Sequence, residues 1–384
     1  MRMTSDDSLE LELISIAEPI QLNFEQDRLV VGFRSSNGGP GYHAAVIDLL
    51  DQIAAALSVT WQWVASDGTH LDETGYATTR DFAALQSRMA DFLLQLCGSV
   101  TGPGFQAGDE QGISLCTPLG LGHQPGKVSC PLGFKSRDWP AAVVAMDDAA
   151  RAQEAAGFFV WWHEGLTGAT WVQLLRAQLW QNAEWRPAVT ENDRLVRDQI
   201  RHSYARAVAG KAMIPDELEA AYQQYLTCQS ASDPPAEDGI GYRKYPIWAQ
   251  PFKHWALSLP GYLSSSDQDG TLTFEHPAFW LGLSSLSIAM TAEDAGPFSW
   301  PDRFDGPLIE IRPGILCRKS AHDVSDGTSV QGAMIWTSRG NTHQLLILTL
   351  SSGLDWPFDA FDSWIMSVTC PDTTLSTHHA PTLH

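Results

Sequence analysis

The stretch "RLVVGFRSSNGGPGYHAAVIDLLDQI", residues 28–53, predicts a strand, a glycine-rich turn and a helix in immediate succession. Its first part, Arg28–Arg34, is a short apolar run typical of a buried strand. After the turn, apolar side chains recur at helical spacing, at Val46, Leu49, Leu50, Ile53 and Leu57. A glycine-rich turn between a strand and a helix can bind a phosphate, so this stretch also defines the first question about function.

The turn "NGGPGYH", residues 37–43, has two interpretations. It matches neither the dinucleotide fingerprint nor the P-loop, and no lysine follows it. Backbone amides at the start of a helix could still hold an anion, and His43 could donate a proton. We therefore name Gly39, Gly41, Tyr42 and His43 as candidate anion-binding residues. The alternative, which we favour, is an architectural turn with Tyr42 packed beneath it; alanine at Gly41 would then cost about 1 kcal/mol or more if φ is positive there.

The rest of the N-terminal segment, residues 1–97, is predicted to pack two helices on a small sheet. "VTWQWV" (Val59–Val64) alternates like a half-buried strand. A second helix is expected to begin at Thr78, with Asp81 three residues later in a pattern similar to a capping box. Its apolar positions are Phe82, Leu85, Met89, Phe92, Leu93 and Leu96.

The remaining chain indicates an α+β fold with a central helical segment and a C-terminal antiparallel part. Residues 98–228 begin rich in Gly and Pro, continue through a predicted strand "FFVWW" (Phe158–Trp162), and end in three helices. The polar, proline-containing residues 229–241 are predicted to be a linker. Residues 242–370 are predicted to be rich in strands, with a hairpin turning at Gly340 and Asn341 and a last helix near Pro357. Residues 371–384 form a polar tail that we expect to be flexible.

Charge and composition exclude several classes of function. The chain of 384 residues has 24 basic and 45 acidic side chains, a net charge of −21. Such a charge repels nucleic acids and anionic membranes, so we expect neither as a partner. The six cysteines contain no CxxC pair, and the N-terminus lacks the apolar core of a signal peptide. These features favour free thiols and a cytoplasmic protein.

No established catalytic or metal motif is complete. "GLGHQPGKV", residues 120–128, is a failed P-loop, and Cys116, His123 and Cys130 do not have zinc-ribbon spacing. His163 and Glu164 follow an apolar run and could act as an acid–base pair, although a pair that satisfies local backbone groups is the more common case. The motif of a serine hydrolase is missing too. We therefore predict no cofactor and no metal, and the only catalytic candidates are His43, His163 and Glu164.

Arg194, Arg197 and Arg201 fall on one helix face in an otherwise acidic chain. This stripe could bind an anion or an acidic surface of another protein. In a chain with so many carboxylates, pairing with neighbours such as Asp193 and Asp198 is the more probable use.

Two hypotheses about function follow. The first is a soluble, cytoplasmic, bacterial-type protein that binds another protein, in its most concrete form an acidic immunity-like partner of a basic protein; the acidic charge and the 15 tryptophans support it. The second is a hydrolase or transferase for a small anionic substrate, using His43, His163 and Glu164. "GGPGYH" and "DETGYATTRDFAALQ" resemble uncharacterised bacterial proteins, a resemblance that implies no particular activity.

Overall fold

The chain divides into two compact units in a computed structural model. Unit 1 comprises Met1–Pro118 and His123–Tyr245, and unit 2 comprises Leu119–Gly122 and Pro246–His384. The structure describes residues 2–5, 8–25, 28–65, 67–69, 71–102, 113–116, 126–183, 185, 188, 191–227, 240–241, 243, 246–252, 254–268, 270–276, 278–289, 298–323, 328–353 and 359–370. Most of the predicted linker and the whole predicted tail lie outside these residues. The α+β class is confirmed, with helices concentrated in unit 1 and a large antiparallel sheet in unit 2.

Unit 1 opens with a four-stranded antiparallel meander. Its strands, in spatial order, are β1 (Arg2–Ser5), β2 (Ser8–Leu11), β3 (Ile20–Glu25) and β4 (Arg28–Gly32). Alternation along β3 places Ile20 and Leu22 in the core and Gln21 in solvent. The strand predicted to begin at Arg28 forms as β4, which pairs with β3. Its expected burial is wrong, because Leu29 and Val31 are half-buried and Val30 is exposed.

Three helices follow this sheet: α1 (Pro40–Leu57), α2 (Tyr76–Thr79) and α3 (Phe82–Thr101). Proline in the first turn suits α1, because that position needs no backbone donor. Its apolar face buries Val46, Ile47 and Leu50 completely. The predicted start of the next long helix was wrong. Thr78 belongs to short α2, and Asp81 caps α3 by accepting a hydrogen bond from Ala84 N at 3.0 Å.

The strand predicted over Val59–Val64 does not form. Trp61 instead packs beside α1, where its indole Nε1–H donates to the carbonyl of Leu50. Val59 also returns to the end of α1, since its amide donates to Ala54 O at 3.0 Å. The alternating pattern arises because Trp61 and Trp63 are half-buried while their neighbours are exposed.

The remainder of unit 1 is a small sheet and a set of helices. The three strands are β5 (Ile113–Ser114), β6 (Lys127–Cys130) and β7 (Gly133–Ser136). The helices are α4 (Trp139–Ala145), α5 (Asp148–Phe158), α6 (Gly168–Ala177), a π-helical turn (Gln178–Asn182), α7 (Glu191–Ala209) and α8 (Asp216–Thr227). The three helices predicted after residue 168 are therefore confirmed as α6, α7 and α8.

The strand predicted over Phe158–Trp162 is also wrong. Phe158 ends α5, and the segment that follows runs extended against the glycine turn instead of joining a sheet. A short apolar run is ambiguous between a strand and a buried helix end, which explains the error.

Unit 2 contains a hairpin, a seven-stranded antiparallel sheet and one helix. The hairpin is β8 (Pro246–Phe252) with β9 (Trp255–Pro260). The sheet has the order β10-β11-β12-β16-β15-β14-β13, with β10 (Ser264–Gln268), β11 (Thr271–His276), β12 (Phe279–Ala289), β13 (Ile309–Arg312), β14 (Ile315–Asp323), β15 (Thr328–Arg339) and β16 (Thr342–Gly353). The predicted hairpin turn is confirmed: Arg339 pairs with Thr342 across Gly340, which has φ 56°, and Asn341. The last helix is α9 (Asp359–Ser367).

One face of this sheet buries a histidine among aromatic rings. His343 lies 5.3 Å from the Trp336 ring and 5.6 Å from the Phe298 ring, measured between centroids. Only 8% of the residue is exposed, and neither ring nitrogen has a hydrogen-bond partner among the described residues. Burial lowers the pKa of His343, because the apolar surroundings disfavour the charged ring.

Unit 2 is therefore expected to lose stability on mild acidification. Below the unfolded-state pKa of about 6.5, the unfolded chain binds a proton at His343 that the folded unit excludes until a lower pH. The unfolding temperature of the whole chain should be lower at about pH 5 than at about pH 8. His343→Phe should make this difference smaller. The same substitution at exposed His163 is the control, and an equal pH dependence in all three proteins would contradict the assignment.

Candidate functional site

The backbone donors of the glycine turn are already used within the fold. Gly39 N donates to Ser35 O at 2.8 Å, Gly41 N to Trp161 O at 2.8 Å, and His43 N to Gly39 O at 3.0 Å. Trp161 N donates back to Gly38 O at 2.9 Å, so the turn and the segment after α5 are joined by a reciprocal pair. The anion-binding interpretation of Gly39 and Gly41 requires amides that point to an open site. These amides instead donate to carbonyl oxygens within the fold.

The turn needs glycine for two different reasons. Gly39 has φ 92°, a conformation that other residues rarely adopt. Gly41 does not have a positive φ, so the condition attached to its substitution is not met. Glycine is required at position 41 because there is no room for a side chain: an added Cβ would lie 2.1 Å from the Trp161 ring and 2.3 Å from the carbonyl oxygen of His163.

Tyr42 packs inside the core of unit 1 and is fully buried. Its hydroxyl donates to the carbonyl of Glu18 at 3.1 Å. Burial, followed by the charges of Glu18 and Glu12, raises the pKa of Tyr42 to about 12. The phenol therefore faces negative groups and is in no position to bind an anion.

His43 is the centre of a buried polar cluster formed by three separate segments. It sits in the first turn of α1 with 4% of its surface exposed. Its Nδ1 lies 3.0 Å from the hydroxyl of Ser35, at the start of the glycine turn. Its Nε2 lies 3.1 Å from Thr74 Oγ1 and 3.3 Å from Asp72 Oδ1, both in the loop before α2. We call Ser35, His43, Asp72 and Thr74 the His43 cluster.

The hydrogen bonds of Thr74 fix the position of the protons in this cluster. The Thr74 hydroxyl donates to Asp72 Oδ1 at 2.7 Å, so its oxygen can only accept from His43. Nε2 of His43 must therefore carry a hydrogen, and in the neutral ring Nδ1 is left as an acceptor. In that neutral form, Ser35 donates its hydroxyl proton to Nδ1.

Asp72 is held as a carboxylate although it is buried. Oδ1 accepts from Thr74 N at 2.9 Å and from the Thr74 hydroxyl, while Oδ2 accepts from Ala77 N at 2.7 Å. Burial acts to raise the pKa of Asp72, but the hydrogen bonds from His43, Ala77 and Thr74 and the attraction to His43 outweigh it. The pKa of this carboxyl therefore lies well below its usual range.

His163 and Glu164 lie near the turn but outside the His43 cluster. The carbonyl of His163 touches Gly41, while both side chains are exposed. Within the described residues, the hydrogen bonds of the His43 ring go to Ser35, Thr74 and Asp72, none of them to this pair. The predicted catalytic set of His43, His163 and Glu164 is thus brought to one region but not into one hydrogen-bonded constellation. Ser35, Asp72 and Thr74 were not predicted, because no spacing in the sequence links them to His43.

The arginine stripe of α7 is used mainly within the fold. Arg194 pairs with Glu191 at 3.0 Å and Arg201 with Asp198 at 3.5 Å, each along the same helix. The guanidinium of Arg197 lies 5.6 Å from the centroid of the Tyr225 ring, on α8. These neighbours provide local partners for the stripe, as the sequence favoured.

Thiol and metal chemistry find little support in the part of the chain that the structure covers. The five described cysteines, Cys97, Cys116, Cys130, Cys317 and Cys370, are not bridged; Cys228 lies outside the described residues. Burial raises the pKa of Cys97 and Cys116 to about 12, so neither is an activated nucleophile. No described group of three or more His, Cys, Asp or Glu side chains could hold a metal ion, although His123 is not described. No helix among the described residues is long and apolar enough to cross a membrane.

Comparisons with known proteins add no function. No protein-family model matches the chain, and no curated protein matches it. A solved structure from Bacteroides thetaiotaomicron VPI-5482 is similar at 13% identity and a TM-score of 0.23. The match covers 33% of this chain and 47% of that one, so the chain matches less than half of that protein's length.

Proposed function

We propose that this chain acts by binding another protein, and that the partner is basic. The compartment is the cytoplasm, and the most concrete version of the role is an immunity-like partner of a basic bacterial protein. The observation that carries the proposal is an exposed apolar surface at the end of α1, next to acidic side chains. A membrane or a nucleic acid is not proposed, because the net charge of −21 repels both.

The apolar edge consists of four exposed side chains around the loop that follows α1. Their exposed fractions are 57% for Leu57, 47% for Val59, 38% for Val64 and 59% for Leu71. Two backbone hydrogen bonds hold this loop in place: Val59 N donates to Ala54 O, and Leu71 N donates to Trp63 O at 2.9 Å. Clustered apolar side chains that remain open to solvent are typical of protein-binding surfaces.

Exposed acidic groups lie on α1 and in the loop that carries the apolar edge. Asp48 and Asp51 share a single cation, Arg80, and their side chains are 63% and 49% exposed. Asp67, in the same loop as Val64 and Leu71, is also exposed. Exposed apolar and acidic side chains on the same segment suit a partner with exposed apolar and basic groups.

The apolar edge can be tested with a matched pair of double variants. Leu57→Ser with Leu71→Ser removes two exposed side chains of the edge, while Leu195→Ser with Val208→Ser removes two from α7 that are 54% and 52% exposed. Proteins captured by the immobilised wild type would be identified by mass spectrometry, and the leading basic protein would be purified and titrated. We expect the edge variant to weaken its binding by about 10- to 100-fold, in line with two lost apolar contacts, and the α7 variant to bind like the wild type.

Two results would contradict this proposal. One is equal binding by both double variants. The other is the absence of any basic protein that binds the wild type saturably, with an affinity that falls as salt is raised.

The second hypothesis is an enzyme for a small anionic substrate. The contacts of His43 support acid–base chemistry, but they do not support binding of an anionic substrate. Burial, followed by the charges of Asp48 and Glu164, raises the pKa of Tyr76, whose ring contacts His43. Among the described residues, no Lys or Arg contacts the His43 cluster, so the cluster offers no cation to an anionic substrate. The hydrogen bond between Ser35 and His43 favours an acyl hydrolase or transferase instead.

A further inference from the structure

We propose that Ser35 is a nucleophile, with His43 as its base and Asp72 as the group that orients the base, and that the site cleaves small uncharged esters. This activity goes beyond the binding role proposed above and does not depend on it. The inference rests on the direction of the hydrogen bonds within the His43 cluster.

A serine becomes a nucleophile when a base accepts its proton and a third group holds that base. Here Ser35 Oγ lies 3.0 Å from Nδ1 of His43, the nitrogen that the contacts of Thr74 leave unprotonated. The opposite nitrogen faces the Asp72 carboxylate at 3.3 Å and the Thr74 oxygen at 3.1 Å. The ring thus presents Nδ1 to the serine and Nε2 to the carboxylate. Either nitrogen of a neutral imidazole can act as the base, so this arrangement can activate a serine as well as the opposite one can.

The base of the cluster is buried, and the nucleophile is partly exposed. His43 and Asp72 are both buried, and Asp72 is fixed by two backbone amides and one hydroxyl. Ser35 is half-buried and sits where β4 has ended and α1 has not begun. A buried base with a partly exposed hydroxyl is the arrangement that lets a small substrate reach the nucleophile without exposing the imidazole.

Donors for the developing oxyanion are present beside Ser35. The backbone amides of Ser36 and Asn37 follow the nucleophile directly and form no hydrogen bond among the described residues. By contrast, the amides of Gly39, Gly41 and His43 are all occupied. Amides at this position could stabilise the negative charge on the carbonyl oxygen of a bound ester.

The reaction needs only the ester and water. Ser35 Oγ attacks the carbonyl carbon while its proton passes to His43 Nδ1, and the negative charge moves to the carbonyl oxygen. Collapse of this intermediate breaks the bond to the alcohol, which leaves with the proton from His43. Water then attacks the acyl-serine and gives a proton to Nδ1. Collapse of this second intermediate breaks the bond to Ser35 Oγ, which takes the proton back from Nδ1 as the acid leaves.

The groups around the nucleophile define the substrate class. Among the described residues, no Lys or Arg contacts Ser35, His43, Asp72 or Thr74, and Asp72 is a carboxylate, so an anionic acyl group is disfavoured. The rings of Phe33 and Tyr76 lie 5.3 Å and 6.1 Å from the His43 ring and present apolar surface. A short, uncharged acyl group fits these surroundings.

The test is covalent labelling of the full chain with a fluorophosphonate, followed by peptide mass spectrometry. We expect label on Ser35, no label in Ser35→Ala, and normal labelling in Ser87→Ala, which removes an exposed hydroxyl on α3 instead. Hydrolysis of p-nitrophenyl acetate should fall by about 10³-fold or more in Ser35→Ala and remain in Ser87→Ala.

Absence of label at a large excess of probe would overturn the inference, as would label on another residue or label retained in Ser35→Ala. If Ser35→Ala does not fold, the labelled peptide of the wild type alone decides the question. Binding of a basic protein is measured separately, so failure of this experiment leaves the binding proposal in place.

Discussion

Alanine at Gly41 is expected to lower the free energy of unfolding of unit 1 by about 3 kcal/mol. The methyl group would overlap the Trp161 ring and the carbonyl oxygen of His163, at 2.1 and 2.3 Å. The carbonyl belongs to the backbone, so relief requires the turn and the segment after α5 to separate. That movement would also stretch the hydrogen bond from Gly41 N to Trp161 O.

Urea denaturation followed by circular dichroism in the helical band would measure this loss. The signal reports mainly unit 1, since the described part of unit 2 contains a single helix of nine residues. Gly98→Ala is the matched control, because it lies within α3 with no atom within 4 Å of the added Cβ. It should be neutral or stabilising by up to about 1 kcal/mol, and equal effects of the two substitutions would refute the account of the turn.

Asparagine at Asp72 is expected to destabilise unit 1 by about 3 kcal/mol. The two carboxylate oxygens accept from different backbone amides, Thr74 N and Ala77 N. An asparagine side chain has one carbonyl oxygen, so in either orientation its NH₂ group would face an N–H donor. The buried amide left without an acceptor accounts for the loss.

The same carboxylate predicts a pH dependence of known sign. The folded pKa of Asp72 is lowered, so its contribution to stability is complete above the unfolded-state value of about 3.9 and is lost as pH falls toward the folded value. The difference in stability between wild type and Asp72→Asn should therefore shrink in acid below about pH 4. Asp67→Asn is the control: the hydrogen bond from Thr69 N lowers the pKa of Asp67 too, but this side chain is exposed, so its pH-dependent loss should be much smaller. A gap that stays constant with pH would show that Asp72 is not ionised in the fold.

Local patterns predicted most of the architecture and little of the His43 cluster. Helix α1 was predictable because helical spacing places Val46 and Leu50 on one face, and that face is buried. The β15–β16 hairpin was predictable because Gly340 and Asn341 suit a two-residue turn. Val59–Val64 was mistaken for a strand because alternation also arises when two tryptophans pack on a helix. Thr74 is 31 residues from His43, and no periodicity describes a contact over that distance.

The role of Gly41 in the turn could not be predicted from the sequence. An architectural turn was favoured because the sequence lacks a phosphate-binding lysine, and the cost of alanine at Gly41 was made conditional on a positive φ there. The positive φ is at Gly39, and Gly41 is required because Trp161 and the carbonyl of His163 occupy the space of a side chain. Close approach between distant segments can be seen in a fold but not in a local sequence pattern.

The central claim is that the turn holds His43 between Ser35 and Asp72 with its proton on Nε2. Long-range ¹H–¹⁵N spectra of the full chain labelled at histidine nitrogen would test it directly, with the His43 signals assigned by their loss in His43→Gln. In mildly alkaline buffer we expect the Nε2–H tautomer, with Nδ1 unprotonated and shifted as an acceptor of a hydrogen bond. An Nδ1–H tautomer would mean that Ser35 accepts instead of donates, and would contradict both the described cluster and its proposed chemistry.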